Sequence, residues 1–281
     1  MIRSPSNAKV KLVRALRRRA IRQQEGLVVA EGARLIEEIL RTGASPVLSF
    51  CTAAGQQDPR IAALFPASGP DPLLTTPAIM KAMSDTVTPP GILAVFPAPT
   101  PPAPANPTLI LILDQVREPG NLGTILRSAL AAGVDRVLPT PGSGDPLNPK
   151  ALRAGMGAQF RLPVTSQTGW AQIEEDLAGT QVVLADPRGA EAYDAVDWTL
   201  PSALIVGGEA HGATNNAFRV AQRRVAIPMA RDTESLNTAT AAGIVLFEAA
   251  RQRRSGRQGS GVRDQGLGIR GQRERKGLSD T

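Results

Sequence analysis

The sequence predicts an α/β protein in two units, the larger built on a mostly parallel sheet. Three observations carry this expectation. From residue 109 onward, short apolar runs alternate with helix-length segments, the pattern of parallel strands covered on both faces. A shorter alternation of the same kind spans roughly 25–97. Between them, PAPTPPAPANP (97–107) holds six prolines, which suits an extended linker and neither helix nor central strand. With 281 residues, 42% of them hydrophobic, the chain has apolar material for both units.

Taken in order, residues 8–24 read as one helix, because Val10, Val13, Leu16 and Ala20 recur near helical spacing and leave the basic residues on the other faces. EGLVVAEGARLIEEILRTG reads as a strand, a turn and a helix ending at Gly43. VLSFCT is a second strand, Pro77–Ser84 a short helix, and ILAVF (92–96) a third strand. After the linker, LILIL (109–113) is a buried strand by its branched apolar run. There follow a helix about 124–132, strand 134–138, helix about 148–156, strand 160–164 and helix 170–178. Strands 181–185, 203–206 and 224–227 and a helix about 237–252 complete the unit. Residues 255–281 hold seven glycines, six Lys/Arg and no aromatic, too little to bury for order. The resulting division is a basic N-terminal helix (1–24), a small α/β domain (25–97), a linker (98–107), a larger α/β domain (108–254) and a disordered basic tail (255–281).

Composition excludes several kinds of chemistry. A single cysteine, Cys51, leaves no disulfide framework, iron–sulfur cluster or cysteine-ligated zinc, and a single histidine, His211, leaves no His-rich metal site. No run approaches the roughly 18 apolar residues of a membrane span, and the basic start lacks the apolar core of a secretory signal. These features favour a soluble, intracellular, reducing setting; the expectation is the cytoplasm, with an organelle-targeting role for the basic start the alternative. Aromatics are only 3%, which argues against a surface that binds single strands mainly by stacking.

Charge is concentrated at the ends. Residues 1–25 carry +7 and residues 251–281 carry +6, so the chain's net +7 leaves −6 between them. An acidic body with two basic ends fits contact with a polyanion through those ends, nucleic acid ahead of an anionic membrane surface.

Chemistry-bearing motifs follow predicted strands, where ligands of open α/β sheets bind. There is no GxxxxGK[ST], no GxGxxG after a strand and no GxSxG, which removes the Walker loop, the dinucleotide fingerprint of an oxidoreductase and the hydrolase elbow. Three other segments stand out. In DQVREPGNLGTILRSALAAG (114–133), Asn121–Thr124 reads as a helix start whose free N–H groups could hold an anion, with Arg127 a turn on. In LIVGGEAHGAT (204–214), Gly207, Gly208 and Gly212 permit close backbone approach to a ligand beside Glu209, while His211 reads as a loop residue. In VAIPMARDTESLNTATAAGIVLFEAARQR (225–253), a strand ends at Ile227-Pro228-Met229 and Ser235–Thr238 opens an Ala-rich helix. Ala239, Ala242, Val245 and Leu246 on that helix would pack it, or give a close dimer face.

Together these segments resemble the SpoU (TrmH-like) family of S-adenosyl-L-methionine-dependent RNA 2′-O-ribose methyltransferases. Its first motif, N-x-G-[ST]-x-x-R, matches Asn121, Gly123, Thr124 and Arg127. Its second, G-x-E-x-x-G, matches Gly207, Glu209 and Gly212. Its third matches Ile227, Pro228, Met229, Ser235, Leu236 and Asn237. NPKALRAGMGAQFRLPV (148–164) also resembles the family's middle, and the front segment is similar to the small substrate-binding domain of members acting on ribosomal RNA. One departure is Arg231, where relatives often have glycine.

The resemblance implies a SPOUT fold, an α/β domain with a deep trefoil knot, preceded by the small substrate-binding domain and assembled as a homodimer. It implies S-adenosyl-L-methionine held by Gly207, Ile227, Leu236 and Met229, and a catalytic pocket of Asn121, Arg127, Glu209, Ser235 and Asn237, with no metal and no membrane. The substrate would be RNA, ribosomal ahead of transfer RNA; a non-catalytic RNA-binding scaffold is the alternative outside enzymology. RNA phosphates would meet Arg14, Arg17, Arg18, Arg22 and Arg127. The family's motif-one arginine is assigned as a base, yet arginine stays protonated in proteins; a phosphate contact and stabilisation of the developing oxyanion suit Arg127 better. If the basic tail grips phosphates, deleting residues 255–281 will weaken RNA binding and make the fall of affinity with salt shallower, leaving cofactor binding unchanged. Filter binding across a salt series reads this, and an unchanged slope removes the tail from the interface.

Overall fold

A computed structural model describes residues 1–64, 71–165, 167–209, 211–231 and 235–261. The small unit contains α1 (Ala8–Ala15), α2 (Arg19–Glu25), β1 (Leu27–Glu31), α3 (Ala33–Leu40), β2 (Leu48–Thr52), α4 (Ala53–Gln56), α5 (Pro59–Ala62), β3 (Leu73–Thr75), α6 (Pro77–Met83) and β4 (Ile92–Pro97). The larger unit contains β5 (Leu109–Asp114), α7 (Pro119–Ala132), β6 (Arg136–Pro139), α8 (Pro149–Ala154), α9 (Trp170–Asp176), β7 (Gln181–Ala185), β8 (Glu191–Ala192), β9 (Ser202–Gly207), α10 (Asn215–Val220), β10 (Arg223–Ala226) and α11 (Thr238–Gly261).

The small sheet runs β1-β4-β2-β3, with β4 antiparallel to both neighbours. Successive side chains of a strand face opposite sides, and here both sides are covered. Val28 and Ala30 join Ile92, Ala94 and Phe96 under α3, whereas Val29 joins Leu93 and Val95 under α1 and α6. The expected single helix over 8–24 is two helices. Leu16–Arg18 break it, Asn7 caps the first, and α2 ends at left-handed Gly26. Val10, Val13 and Leu16 are buried on the small sheet. The sole thiol, Cys51, is also buried there, and desolvation pushes its pKa up to about 11, keeping it protonated and unreactive at neutral pH.

The larger sheet runs β6-β5-β9-β7-β10-β8 and every recorded pairing is parallel, as the strand–helix alternation predicts. Along β5, Leu109, Leu111 and Leu113 face α7 and α11, while Ile110 and Ile112 face α9 and α10. The continuous apolar run LILIL thus reflects burial on both faces. The expected strand at 160–164 is not formed. A short 3₁₀ turn occupies Ala158–Phe160, and only Val164 makes an isolated bridge to Val137. The Ala-rich helix begins as expected but runs on to Gly261 into the region expected to be disordered; residues 262–281 lie outside the described ones. Its Ala239, Ala242, Val245 and Leu246 are buried in the chain's own core against α7, so they supply no dimer face.

Helix α8 lies against α7 at Gly123, where a Cβ would overlap the Ala151 carbonyl oxygen and sit 2.7 Å from the Ala154 Cβ. A backbone oxygen cannot swing aside as a flexible side chain can. Gly123→Ala is therefore expected to separate the two helices at a cost of about 1–3 kcal/mol, despite alanine's better helix propensity. A lowered thermal midpoint in a melting scan checks this.

Candidate active site

Parallel pairing of β5 with β9 sets Asp114 opposite Gly207, so the loops carrying the first two motifs leave the sheet side by side. Asp114 is fully buried and ties them together. Its Oδ2 accepts the Thr214 N–H at 2.6 Å, beyond the second-motif turn, and its Oδ1 accepts the Thr140 hydroxyl at 3.1 Å. The turn after β9 comes so close that a Cβ on Gly208 would overlap the Gln115 carbonyl oxygen. Sequence reasoning passed over Asp114; its signal was a carboxylate ending an otherwise apolar strand.

Helix α7 starts earlier than the motif suggested. Pro119 takes its first turn, where the missing N–H costs nothing, and Glu118 is the N-cap, accepting the Asn121 N–H at 2.7 Å. The free N–H groups expected at Asn121–Thr124 are therefore not an anion site, because Asn121 lies inside the helix and its N–H is taken. Lys150 at 2.6 Å and the Asn121 N–H hold the Glu118 carboxyl below the usual carboxylate range, so the cap persists at neutral pH and is lost only on acidification.

Side chains from all three motifs meet in one directional chain. Asn237 caps α11, its Oδ1 accepting from Ala239 N at 2.9 Å and Thr240 N at 3.3 Å. That commits its amide nitrogen, which donates to Asn121 Oδ1 at 3.1 Å. Asn121 Nδ2 in turn donates to Glu209 Oε1 at 3.0 Å. Each amide orientation is thus fixed by its neighbour. The Arg117 N–H points at the other Glu209 oxygen from 3.5 Å. Arg127 is exposed one to two turns along α7, and its guanidinium makes no hydrogen bond or ion pair among the described residues.

Beside this chain lies a cavity of about 520 Å³ at the carboxyl ends of β7, β9 and β10, within the size range of small-molecule sites. The four residues expected to hold a cofactor, Gly207, Ile227, Met229 and Leu236, all line it, as do Glu209, Ser235 and His211. Asn121, Arg127 and Asn237 do not. The cavity walls combine apolar side chains from Val206, Val225 and Ile227, the backbone of the glycine turn, and two carboxylates, Asp186 and Glu209. The rim includes Phe218 with Arg224 stacked 5.0 Å from its centroid and paired with Asp186, a group that no motif signalled. Arg231 takes φ +63°, the left-handed backbone that glycine favours, so the loop keeps a glycine-like turn there.

The expected RNA-contacting arginines divide. Arg14 and Arg18 are exposed. Arg17 is exposed but donates to the Ser84 carbonyl and, at 3.3 Å, to that of Ala82. Arg22 is a correction: it is 3% exposed and paired with Asp145, so it offers RNA nothing.

A parallel α/β sheet with a polar cluster and a cavity of this size at its strand ends defines a small-molecule site of the open-sheet kind. The family follows from comparison. Residues 108–247 match the SpoU rRNA methylase family, and residues 7–94 match an MRM3-like substrate-binding domain. The chain is 32% identical to the mitochondrial rRNA methyltransferase 3 of Mus musculus, over 84% of this chain and 70% of that protein. A solved RNA 2′-O ribose methyltransferase superposes with a TM-score of 0.78 at 29% identity, covering 90% of this chain and 98% of that one. An rRNA methyltransferase from Sinorhizobium meliloti, solved with S-adenosylmethionine bound, gives 0.75 at 30% identity, covering 89% and 97%. The chain belongs to the SpoU methylase family and is an S-adenosylmethionine-dependent RNA 2′-O-ribose methyltransferase.

Asn121 is the central link between Asn237 and Glu209. Asn121→Ala is expected to lower turnover about 100-fold, the scale of losing one preorganised donor, while leaving affinity for S-adenosylhomocysteine within about twofold. Calorimetry and single-turnover methyl transfer separate the two.

Proposed function

We propose that the protein methylates ribosomal RNA, with Asn121, Arg127, Glu209, Ser235 and Asn237 forming the reaction pocket beside a cofactor held by Gly207, Ile227, Leu236 and Met229. The observation that carries the reading is the hydrogen-bonded chain Asn237–Asn121–Glu209 at the edge of the cavity. Ribosomal rather than transfer RNA is favoured by the substrate-domain match over residues 7–94. When bound, S-adenosylmethionine supplies an activated methyl on a sulfonium, so the protein's task is chiefly orientation, worth about 7–11 kcal/mol. Glu209, fixed through Asn121, stands where a ribose hydroxyl enters. Arg127, with no partner among the described residues, binds the flanking phosphate and stabilises the oxygen as it loses its proton. Water or the phosphate carries that proton away, because a guanidinium does not accept one.

The proposal extends to the family's trefoil knot and to a homodimer through α7 and α11. Phe247 supports the dimer: a large apolar side chain on α11, it is 47% exposed. We also propose a cytoplasmic setting for the reaction.

The test is calorimetric titration with S-adenosylhomocysteine, then labelled methyl transfer to ribosomal and transfer RNA, with the product checked for the alkali resistance of a 2′-O-methyl ribose. Ribosomal RNA is the expected acceptor; labelling of transfer RNA alone replaces that part of the reading. Cofactor binding without any methyl transfer points to a scaffold. Arg127→Lys retains charge but loses the planar fork, and turnover is expected to fall at least about tenfold.

A further inference from the structure

The small domain is docked on the catalytic domain as well as tethered by prolines. Ala151 and Leu152, consecutive on α8, are both fully buried in different cores. Ala151 packs under α7 and α11, and Leu152 packs in the core of the small sheet. In the turn after α8, a Cβ on Gly157 would lie 3.1 Å from Ile39 Cγ1 of α3. Phe160 then meets Phe96 of β4 edge-on, with centroids 5.9 Å apart.

Two arginines flank this wedge, and their three ion pairs join the two domains. Arg22 pairs with Asp145 while donating to the Leu16 and Arg17 carbonyls at 2.7 Å each. Arg153 of α8 lies 3.6 Å from buried Glu31 and 3.4 Å from Asp85. Glu31 is further held by Ser84, Thr86 and the Asp85 N–H. Arg22 Nε is buried without a hydrogen bond among the described residues. Buried pairs of this kind add little net stability over an apolar contact, but they penalise any other arrangement of the two surfaces. Both sit on segments packed against those that carry the reaction pocket. Asp145 follows Gly144, whose N–H donates to the Val116 carbonyl at 2.8 Å. Helix α8 lies against Gly123 of α7, between Asn121 and Arg127.

We propose that Arg22 and Arg153 are positioning residues. They lock the small domain onto α8, so that RNA gripped by exposed Arg14 and Arg18 reaches Asn121 and Arg127 in one fixed register. This rests on the RNA methyltransferase function and adds how one ribose is chosen. Every nucleotide offers the same 2′-hydroxyl, so reach and orientation must do the selecting.

The experiment uses the full chain with Glu31→Gln and Asp145→Asn together, which neutralises the two least exposed anions and keeps their shape, leaving only the more exposed Asp85 beside Arg153. Small-angle scattering reads the lock without activity: one compact distance distribution is expected for the parent protein and a broader one for the variant. On ribosomal RNA, turnover is expected to fall about 10- to 100-fold, the scale of a roughly 1 Å misplacement, and methylation to spread to neighbouring riboses. S-adenosylhomocysteine affinity is expected to stay within about twofold, since the cavity is untouched. An unchanged scattering curve overturns the proposal. So does a single methylated position at parental turnover, or turnover that falls only in step with cofactor affinity. Should the double variant not fold, Arg153→Lys, which keeps the charge and loses the fork, is read by the same measurements. A parent protein that shows the compact distribution but methylates no RNA overturns the functional reading and leaves the lock standing.

Discussion

The site depends on the parallel pairing of β5 with β9, strands some ninety residues apart in sequence. That register places Asp114 beside Gly207 and makes neighbours of two loops that would otherwise be unrelated. A buried carboxylate at this junction has to be satisfied, and it is satisfied by the backbone of the second-motif loop and a hydroxyl after β6. The sheet therefore fixes the loops through one fully buried carboxylate, bonded to the main chain at Thr214 and to the Thr140 hydroxyl. Glu209, Asn121 and the glycine turn inherit their positions from this junction.

Much of the fold was legible because burial on both faces of a parallel sheet leaves uninterrupted apolar runs, as in LILIL and the strand ending at Val206. What was missed has physical causes. A helix broken within a continuous apolar stripe, as at Leu16–Arg18, keeps the periodicity of an unbroken one. Residues 160–164 look strand-like because Phe160 and Leu162 are apolar; they are apolar to pack between domains and into the core, and form no ladder. Short elements such as β3, β8 and α10 carry too few residues to show a period.

Of the site, the motifs located the residues, and three-dimensional contact sorted them. Gly207, Ile227, Met229 and Leu236 share one cavity, while Asn121 and Asn237 stand outside it and act on Glu209. Net charge could not distinguish Arg14 from Arg22, since both lie on basic amphipathic segments. Burial beside Asp145 does so, turning a presumed RNA contact into an interdomain one. Asp114, Glu118 and the Arg224–Phe218 pair fell between motifs and became visible only through their partners.

The double duty of Asn237 has a consequence for the life of the chain. Because it both caps α11 and orients Asn121, the pocket has no assembled form in a polypeptide still lacking that helix. During synthesis, the earlier strands can pair and Asn121 can reach Glu209, yet the Asn121 amide has no partner to orient it until residue 237 has been made and α11 has docked on α7. The complete Asn237–Asn121–Glu209 chain is thus among the last parts of the protein to form, and it forms with the packing of the C-terminal helix.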